Sequence, residues 1–316
     1  MNLGYACINM ELSAQGISTN RGMIKKTYLA KGISYASELA LKNLKDLVKV
    51  LEWNELKGIR IYRMSSCLFP WMSEYKFEDL PAYREILSTC KVVGEIANRS
   101  GQRLSFHPGH FDILASQNPT RIDATILDLN QHGFIMDMMG LRRDHYNTIN
   151  IHVGGAYGDK VEAMKRFCES FQRLDDSAKT RLTVENDDKI NMYSTRDLYE
   201  GIHSIIGIPI IFDYHHHRMC DGDLSEEQAL QLAVSTWPSG IVPLTHYSSS
   251  KRDHEDPKSN KQAHADYVYE KINQYGLEID IEVESKMKEI SIFDYLQKFE
   301  DDLWCHYSGL PSVKSY

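Results

Sequence analysis

Eight short apolar stretches recur along this chain of 316 residues, and segments with helical periodicity separate them. The stretches read LGYACI, GIRIYRM, RLSFH, TINIHV, RLTVEN, IPIIFD, IVPLTH and LEIDIEVE. Strands that alternate with helices favour parallel βαβ units, and eight such units favour a (β/α)8 TIM barrel. An open, doubly wound α/β sheet is the structural alternative.

The segments between the strands show the 3.6-residue apolar spacing of one helical face, clearest in ASELALKNLKDLVKVLEW. The other predicted helices are REILSTCKVVGEIANRSG, TRIDATILDLNQHGFIMDMMG, KVEAMKRFCESFQRL, STRDLYEGIHSII, SEEQALQLAVSTW, QAHADYVYEKINQYG and SIFDYLQKFEDDLW. We expect residues 1–316 to form one domain that ends in a tail from about residue 303.

Composition narrows the class of protein. The formal net charge of −8 argues against a surface that is basic all round, although it allows a local basic groove. The six cysteines are scattered without C-x-x-C spacing, which is typical of reduced thiols. Neither a signal sequence nor an apolar run of about 20 residues is present, so we expect a cytoplasmic monomer that does not enter membranes.

Six successive strands end in a residue that can bind a metal. These residues are His107, His152, Glu185, Asp213, His246 and Glu284. In a (β/α)8 barrel they converge on the face at the carboxyl ends of the strands, where active sites are built. Three carboxylates brought together repel one another, and a bound cation relieves that repulsion. Imidazole and carboxylate without cysteine suit Zn²⁺, Mn²⁺ or Fe²⁺, and six ligands are enough for two or three ions.

The chemistry of such a site stays open at this point. Metal ions roughly 3.5–4 Å apart are the usual apparatus for cleaving phosphodiesters. Barrel isomerases and epimerases that act on sugars also carry metals, so a sugar enzyme remains an alternative. A barrel that keeps a binding role but has lost catalysis is a third possibility.

Several motifs together resemble the UV damage endonuclease family. They are LGYACIN, QRLSFHPGHF, HVGGAYGDK, ENDD, HAD and the closing ESKMKE, and the resemblance runs from residue 2 to about residue 300. Abasic-site nucleases of the endonuclease IV family share the barrel and a trinuclear metal centre, but they lack the GYACIN start and the GGAYG loop. They are the alternative within nucleases.

The resemblance implies a metal-dependent, ATP-independent DNA repair endonuclease. Such an enzyme acts on UV-damaged double-stranded DNA and nicks it immediately 5′ to cyclobutane pyrimidine dimers and 6-4 photoproducts. It leaves a 3′-hydroxyl and a 5′-phosphate. Two to three divalent ions are implied, with Mn²⁺ expected and Zn²⁺ or Fe²⁺ as alternatives.

The resemblance also implies ligand sets. His107, His152 and Glu185 would hold one ion, and Glu185 would bridge to a second ion held by Asp213, His246 and Glu284. His216 and His264 would hold a third ion, which Asp266 could join. Glu185, Asp213 and Glu284 would be the catalytic carboxylates. In the run of three histidines, His215 and His217 should point away from His216 if the segment is extended.

Lesion recognition in this family flips the damaged dinucleotide out of the duplex and fills the gap with side chains. His110 and Phe111 occupy the positions of a Gln-Tyr plug in relatives, and Tyr5 and Asn9 match positions near the lesion. Candidate phosphate contacts are Arg63, Lys160, Lys286 and Lys288, followed by Lys251 and Arg252 in a polar loop.

Two further departures from relatives concern residues near the expected metals. Leu244 stands where some relatives have a lysine that can be chemically modified, so that feature is absent or replaced. Cys67 stands where one relative has a histidine, and we expect it to be an inert, buried thiol, with a soft metal ligand as the alternative.

Overall fold

Eight parallel strands close into a barrel in this computed structural model, which describes residues 1–300. Each strand pairs with its neighbours in chain order, and β1 pairs with β8 to complete the ring. The strands are β1 Leu3–Ala6, β2 Ile61–Met64, β3 Arg103–Phe106, β4 Ile149–Ile151, β5 Leu182–Glu185, β6 Ile210–Asp213, β7 Leu244–Tyr247 and β8 Asp280–Val283. The predicted (β/α)8 TIM barrel is confirmed and the open sheet is wrong, while the predicted tail lies outside the described residues.

Helices occupy the connections between strands. The long ones are α2 Lys25–Lys57, α3 Tyr83–Ser100, α4 Pro119–Met138, α5 Lys160–Phe171, α10 Glu226–Ser235 and α12 Lys288–Phe299. Shorter helices are α1 Met10–Ser13, α6 Asp176–Lys179, α7 Thr195–Leu198, α8 Ser204–Ile206, α9 Tyr214–His217 and α11 Lys251–His254. The turn Tyr199–His203 is π-helical and joins α7 to α8, and the 3₁₀ turns Met72–Glu74 and Phe77–Asp79 precede α3. No helix among the described residues has the length and hydrophobicity needed to cross a membrane.

One predicted helix is wrong. The segment 262–276 contains no helix and runs as irregular chain between α11 and β8. Its backbone is hydrogen-bonded to the loop that follows β7. Ala265 N–H donates to the Ser249 carbonyl at 2.9 Å, and Lys251 N–H donates to the Ala263 carbonyl at 2.8 Å. Its apolar residues Val268 and Ile272 are buried in the main core without helical structure. Tertiary packing therefore overrides the local helical periodicity.

The strands have two different faces, because successive side chains point to opposite sides of a sheet. One set of residues, which includes Leu104, Ile149 and Phe212, belongs to the large apolar core shared with the helices. The alternate set forms a separate small cluster of Ile61, Ile211, Leu244 and Trp237. The barrel interior therefore contains an apolar layer, and Leu244 lies in that layer with no exposed surface.

Gly4 lies where β1 passes closest to its neighbour. It is in register with Ile61, and a Cβ at position 4 would lie 2.2 Å from the Ile61 carbonyl oxygen and 2.3 Å from the Ile61 Cβ. No L side chain fits this position unless the two strands move apart. The glycine in the LGYACIN stretch is thus a steric requirement of barrel closure.

We expect Gly4→Ala to lower the free energy of unfolding by about 1–3 kcal/mol, the usual cost of inserting atoms into a packed interior. Gly22→Ala is the matched control, because a Cβ there meets nothing within 4 Å. Urea unfolding followed by circular dichroism measures both variants. Equal stability of the two variants would show that the strands can separate at little cost.

Candidate active site

Glu185 is the centre of the polar cluster at the carboxyl ends of the strands. It is the last residue of β5, and its side chain is 1% exposed. Its Oε2 lies 3.1 Å from His107 Nε2 and 3.2 Å from His246 Nδ1, and its Oε1 lies 3.2 Å from His216 Nδ1. Three imidazoles, one after β3, one on the helix after β6 and one within β7, therefore converge on one buried carboxylate.

Glu284 is a second convergence point, and it shares His246 Nδ1 with Glu185. It directly follows β8, and its Oε1 lies 2.6 Å from Arg63 Nη1 and 3.6 Å from His246 Nδ1. Its Oε2 lies 3.6 Å from His264 Nδ1. Glu284 thus connects the His246 side of the site to His264.

Three groups of side chains among the described residues have ligand atoms within 4.8 Å of one another, which is close enough to share a metal ion. The first is His107, His152 and Glu185, and the second is Glu185, Asp213 and His246. The third is His246, Glu282 and Glu284. The geometry brings together the three predicted residues of the first metal site and three of the four predicted for the second, with Glu185 common to both. Glu284, the fourth, falls instead in the group with His246 and Glu282.

Glu282 was not among the predicted ligands. It is fully buried, with Oε1 2.8 Å from Arg63 Nε and Oε2 3.3 Å from the Ser105 hydroxyl, which donates to it. A signal for it exists in the sequence, because EIDIEVE places Asp280, Glu282 and Glu284 on one face at a period of two. Three acidic residues on the inner face of a barrel strand indicate a polar interior.

The donor set fits divalent metal ions. Asp213 Oδ2, His246 Nδ1 and His264 Nδ1 are buried and make no hydrogen bond among the described residues. Buried polar atoms are nearly always satisfied, so these atoms call for a partner. Imidazole nitrogen and carboxylate oxygen are suitable ligands for Mn²⁺, Zn²⁺ and Fe²⁺.

Electrostatics within the cluster favour charged carboxylates and a protonated imidazole in the absence of metal. Burial opposes ionisation of Glu185, but the imidazoles around it, His246 first, hold the pKa of its carboxyl well below the ordinary value. Burial also opposes charge on His246, but the carboxylates, Glu185 first, raise the pKa of its imidazole to about 9. For Asp213, burial dominates and raises the pKa.

A second set of residues orients the candidate ligands, as is usual at metal sites. Asp187 Oδ1 lies 3.4 Å from His152 Nδ1, and the Asn150 amide donates a hydrogen bond to Glu185 Oε2. Asn186 accepts from the Asp213 backbone N–H at 2.8 Å, and its own carbonyl lies 2.9 Å from His216 Nδ1. Asn186 and Asp187 belong to the ENDD motif but were not predicted as site residues.

The three consecutive histidines lie on the short helix α9, so the extended conformation assumed for them is wrong, although His215 and His217 do point away from His216. Asp213 caps this helix by accepting a hydrogen bond from the His216 backbone N–H at 2.7 Å. Helical geometry sends neighbouring side chains in different directions. Only His216 contacts Glu185; His217 packs against Phe212 with ring centroids 5.3 Å apart, and His215 lines a neighbouring cavity.

The residues expected to hold a third ion are less tightly grouped. The rings of His216 and His264 have centroids 6.4 Å apart and meet edge to face. Asp266 lies two residues beyond His264, but its carboxylate faces Lys251, with Oδ1 3.5 Å from Nζ. Cys67 is exposed and belongs to none of the ligand groups among the described residues.

Tyr5 does not lie where the sequence motif suggested. Its side chain has no exposed surface, and its hydroxyl donates to Asn54 Oδ1 and accepts from Asn9 Nδ2, both at 2.8 Å. Asn9 is also buried and caps α1 by accepting from the Leu12 N–H. Neither side chain can stack on or bond to a base in this conformation, because the strand face that carries Tyr5 points toward the helices. Their role in the structure is to anchor α1.

The remaining DNA-binding candidates differ in whether their side chains are exposed and unpaired, and so able to contact DNA. Arg63 is bound to Glu282 and Glu284, and Lys160 pairs with Asp197 at 3.1 Å. Lys286 is exposed and Lys288 is half-buried, and both directly follow Glu284. His110 and Phe111 are exposed after β3, with ring centroids 4.0 Å apart, and Phe111 is 70% exposed.

Comparison with known proteins agrees with this geometry. Residues 1–305 match the family model described as UV-endonuclease UvdE. The chain is 32% identical over 308 residues to the UV-damage endonuclease of Schizosaccharomyces pombe, covering 94% of this chain and 50% of that protein. It is 33% identical over 279 residues to the UV DNA damage endonuclease of Bacillus cereus, covering 83% of this chain and 82% of that protein. The chain thus spans half the length of the yeast relative.

Solved structures give the same result. The crystal structure of SacUVDE superposes with a TM-score of 0.82 at 28% identity and covers 94% of this chain and 97% of that one. The 3-keto-D-glucoside 4-epimerase YcjR of E. coli superposes with a TM-score of 0.53 at 8% identity, covering 98% of this chain and 100% of that one, which shows a shared fold alone. The family match over nearly the whole chain confirms the resemblance seen in the sequence motifs: this chain belongs to the UV-endonuclease UvdE family.

Proposed function

We propose that this protein is a UV-damage endonuclease of DNA repair, metal-dependent and ATP-independent. It nicks the backbone of double-stranded DNA immediately 5′ to cyclobutane pyrimidine dimers and 6-4 photoproducts, leaving a 3′-hydroxyl and a 5′-phosphate. The observation that carries this proposal is the cluster around Glu185, where two groups of ligands share one buried carboxylate. The names of the relatives support DNA as the substrate.

Two to three divalent ions, with Mn²⁺ expected, would be held by His107, His152, Glu185, Asp213, His246 and Glu284, with His216 and His264 as ligands of a third. Such ions neutralise phosphate charge, activate water and stabilise the leaving oxygen. Glu185 would be a ligand shared by two of the ions, and the hydrogen bond from the Asn150 amide would orient its carboxylate. Arg63 would fix Glu284 in the same way.

The exposed pair of His110 and Phe111 would enter the duplex when the damaged dinucleotide is flipped out. Both side chains follow the candidate ligand His107 by only a few residues, so the pair and the metals would act on neighbouring nucleotides. An aromatic ring on the surface with 70% exposure is costly to leave in water and suits stacking on a base. Lys286 and Lys288 would contact phosphates on the other side of Glu284.

The metal-loaded protein should make a single Mn²⁺-dependent nick 5′ to one dimer in a labelled duplex. We expect Glu185→Gln to lower that rate by about 100-fold or more, because both ligand groups lose a shared charge. Glu52→Gln, an exposed carboxylate on α2, is the control. Full nicking by Glu185→Gln would rule out the bridging role, and no nick by folded, metal-loaded wild type would rule out the proposed function.

Metal affinity should rise with pH. The pKa of His246 is raised to about 9 in the metal-free site, so below that pH a metal must displace a proton from the imidazole. In the metal-free protein this proton stabilises the folded state. The stabilisation is present in full below the unfolded pKa of about 6.5, and it is lost as the pH rises through the folded pKa of about 9. Titration with Mn²⁺ in weak buffer near pH 8 should therefore release protons.

The control for proton release is His254→Gln, since His254 is outside the three ligand groups. It should release as many protons as wild type, while His246→Gln should release about one fewer. Mn²⁺ binding at pH 8 without proton release would contradict a protonated His246.

Phe111→Ala should lower kcat/KM for the dimer substrate by about 10-fold or more, since stacking of one base on an aromatic ring contributes ~1–3 kcal/mol. Mn²⁺ affinity should not change. Leu56→Ala, which removes an equally exposed apolar side chain at 80% exposure, is the control. A Phe111→Ala enzyme with unchanged kcat/KM would show that the ring does not enter the duplex.

A further inference from the structure

A cavity of about 730 Å³ opens beside the metal-ligand cluster. Its walls come from the loops that follow β5, β6 and β7, at positions 188–191, 215, 218–219, 250, 252–253 and 261–262. The loops after these strands lie at the carboxyl ends of the barrel, so the cavity shares a face with the Glu185 cluster. Neither the proposed ligands nor the His110–Phe111 pair line the cavity. The cavity comes nearest to a proposed ligand along the chain at His215, which precedes His216.

The cavity has an excess of positive charge. Lys189, Arg218, Arg252 and Lys261 line it, against the two carboxylates of Asp188 and Asp253. Arg218 is bound to Glu270 at 3.1 Å. Among the described residues, the other three cations have no ion-pair partner, and all three are exposed. A group of cations without carboxylate partners is unexpected in a protein whose net charge is −8.

His215 joins the cavity to the metal site. It is 2% exposed, and neither of its ring nitrogens makes a hydrogen bond. Its ring meets the ring of His264 edge to face at 5.5 Å, so His215 lies between the cavity and a candidate metal ligand. A buried imidazole with two unused nitrogens on the wall of a cavity points to a ligand that accepts a hydrogen bond there.

We propose that this cavity holds the sugar-phosphate backbone of the DNA strand as it leaves the metal cluster. The proposal rests on the proposed function. Lys189, Arg252 and Lys261 contact backbone phosphates, and His215 donates a hydrogen bond to the phosphate oxygen nearest His264. Ile190 and Met219 supply apolar surface for the adjoining sugar or base. The cavity thereby extends DNA contact beyond the positions flanking Glu284.

The triple variant Lys189→Gln/Arg252→Gln/Lys261→Gln tests the proposal in the metal-loaded enzyme. We expect the slope of log kcat/KM against log salt concentration to become shallower by about 2, since each lost phosphate contact removes ~0.7–0.9 from the slope. The value of kcat at saturating dimer duplex should stay within about twofold, because the substituted residues do not contact the reacting atoms. The control is Lys42→Gln/Lys91→Gln/Lys165→Gln, which removes the same charge from the exposed surfaces of α2, α3 and α5.

Equal changes in the two triple variants, or no change in either, would overturn the proposal, because the effect would then be one of net charge alone. If wild type fails to nick, the proposed function fails, and the cavity is still tested: fluorescence anisotropy with a pre-nicked dimer duplex should show the same loss of salt dependence only in the cavity variant.

His215 is tested separately. His215→Leu should raise KM by about fivefold with Mn²⁺ affinity unchanged, the effect of one lost hydrogen bond. His215→Gln, which keeps a donor, should restore most of the loss. Identical KM values for wild type and the folded His215→Leu enzyme would remove His215 from the proposed site.

Discussion

The buried carboxylate of Glu185 is the interaction on which the rest of the site depends. A charged carboxylate away from water is costly unless positive charge or hydrogen-bond donors surround it. Here the donors come from side chains within β4 and β7 and from side chains that follow β3 and β6, so the charge can be buried only if the barrel is closed and in register. Closure of the barrel at Gly4 and assembly of the ligand cluster therefore depend on the same register of the strands.

The interior of the barrel changes in character from one end to the other. At the amino ends of the strands, Arg103 is bound to Asp280 at 3.3 Å and to the Val242 carbonyl at 2.7 Å, which closes that end with a buried ion pair. Above it lies the apolar layer that contains Leu244. At the carboxyl ends lie Arg63, Glu282 and Glu284, followed by the imidazoles. Leucine at position 244 is consistent with its neighbours, because a lysine there would bury a cation among Ile61 and Ile211.

The barrel and most of the side chains that cluster at the carboxyl ends of its strands could be predicted from the sequence, because both follow from short-range patterns. The period of strands and helices identified the fold, and parallel strands bring their carboxyl ends together whatever their side chains are. Residues whose role depends on the face of a strand were less predictable. Tyr5 lies in a family motif, but its position on β1 directs it to Asn54 and the helix layer. The sequence pattern did not single out Glu282, because Glu284, two residues later, already supplied the acidic residue expected at the end of β8. The segment 262–276 has helical periodicity, but its backbone hydrogen bonds go to the loop after β7.

The short helix α9 explains why one histidine of three serves the cluster. Its N-cap is Asp213, so the same carboxylate that offers its free Oδ2 to the site also starts the helix through its Oδ1. Turning the chain at that point places His216 over Glu185 and sends His215 to the opposite wall of the site, against His264. A chain that stayed extended would have placed His215 and His217 on one side and could not have divided them between a core contact and a cavity. The cation-lined cavity and the cluster of candidate ligands are therefore positioned relative to each other by a single capped turn of helix.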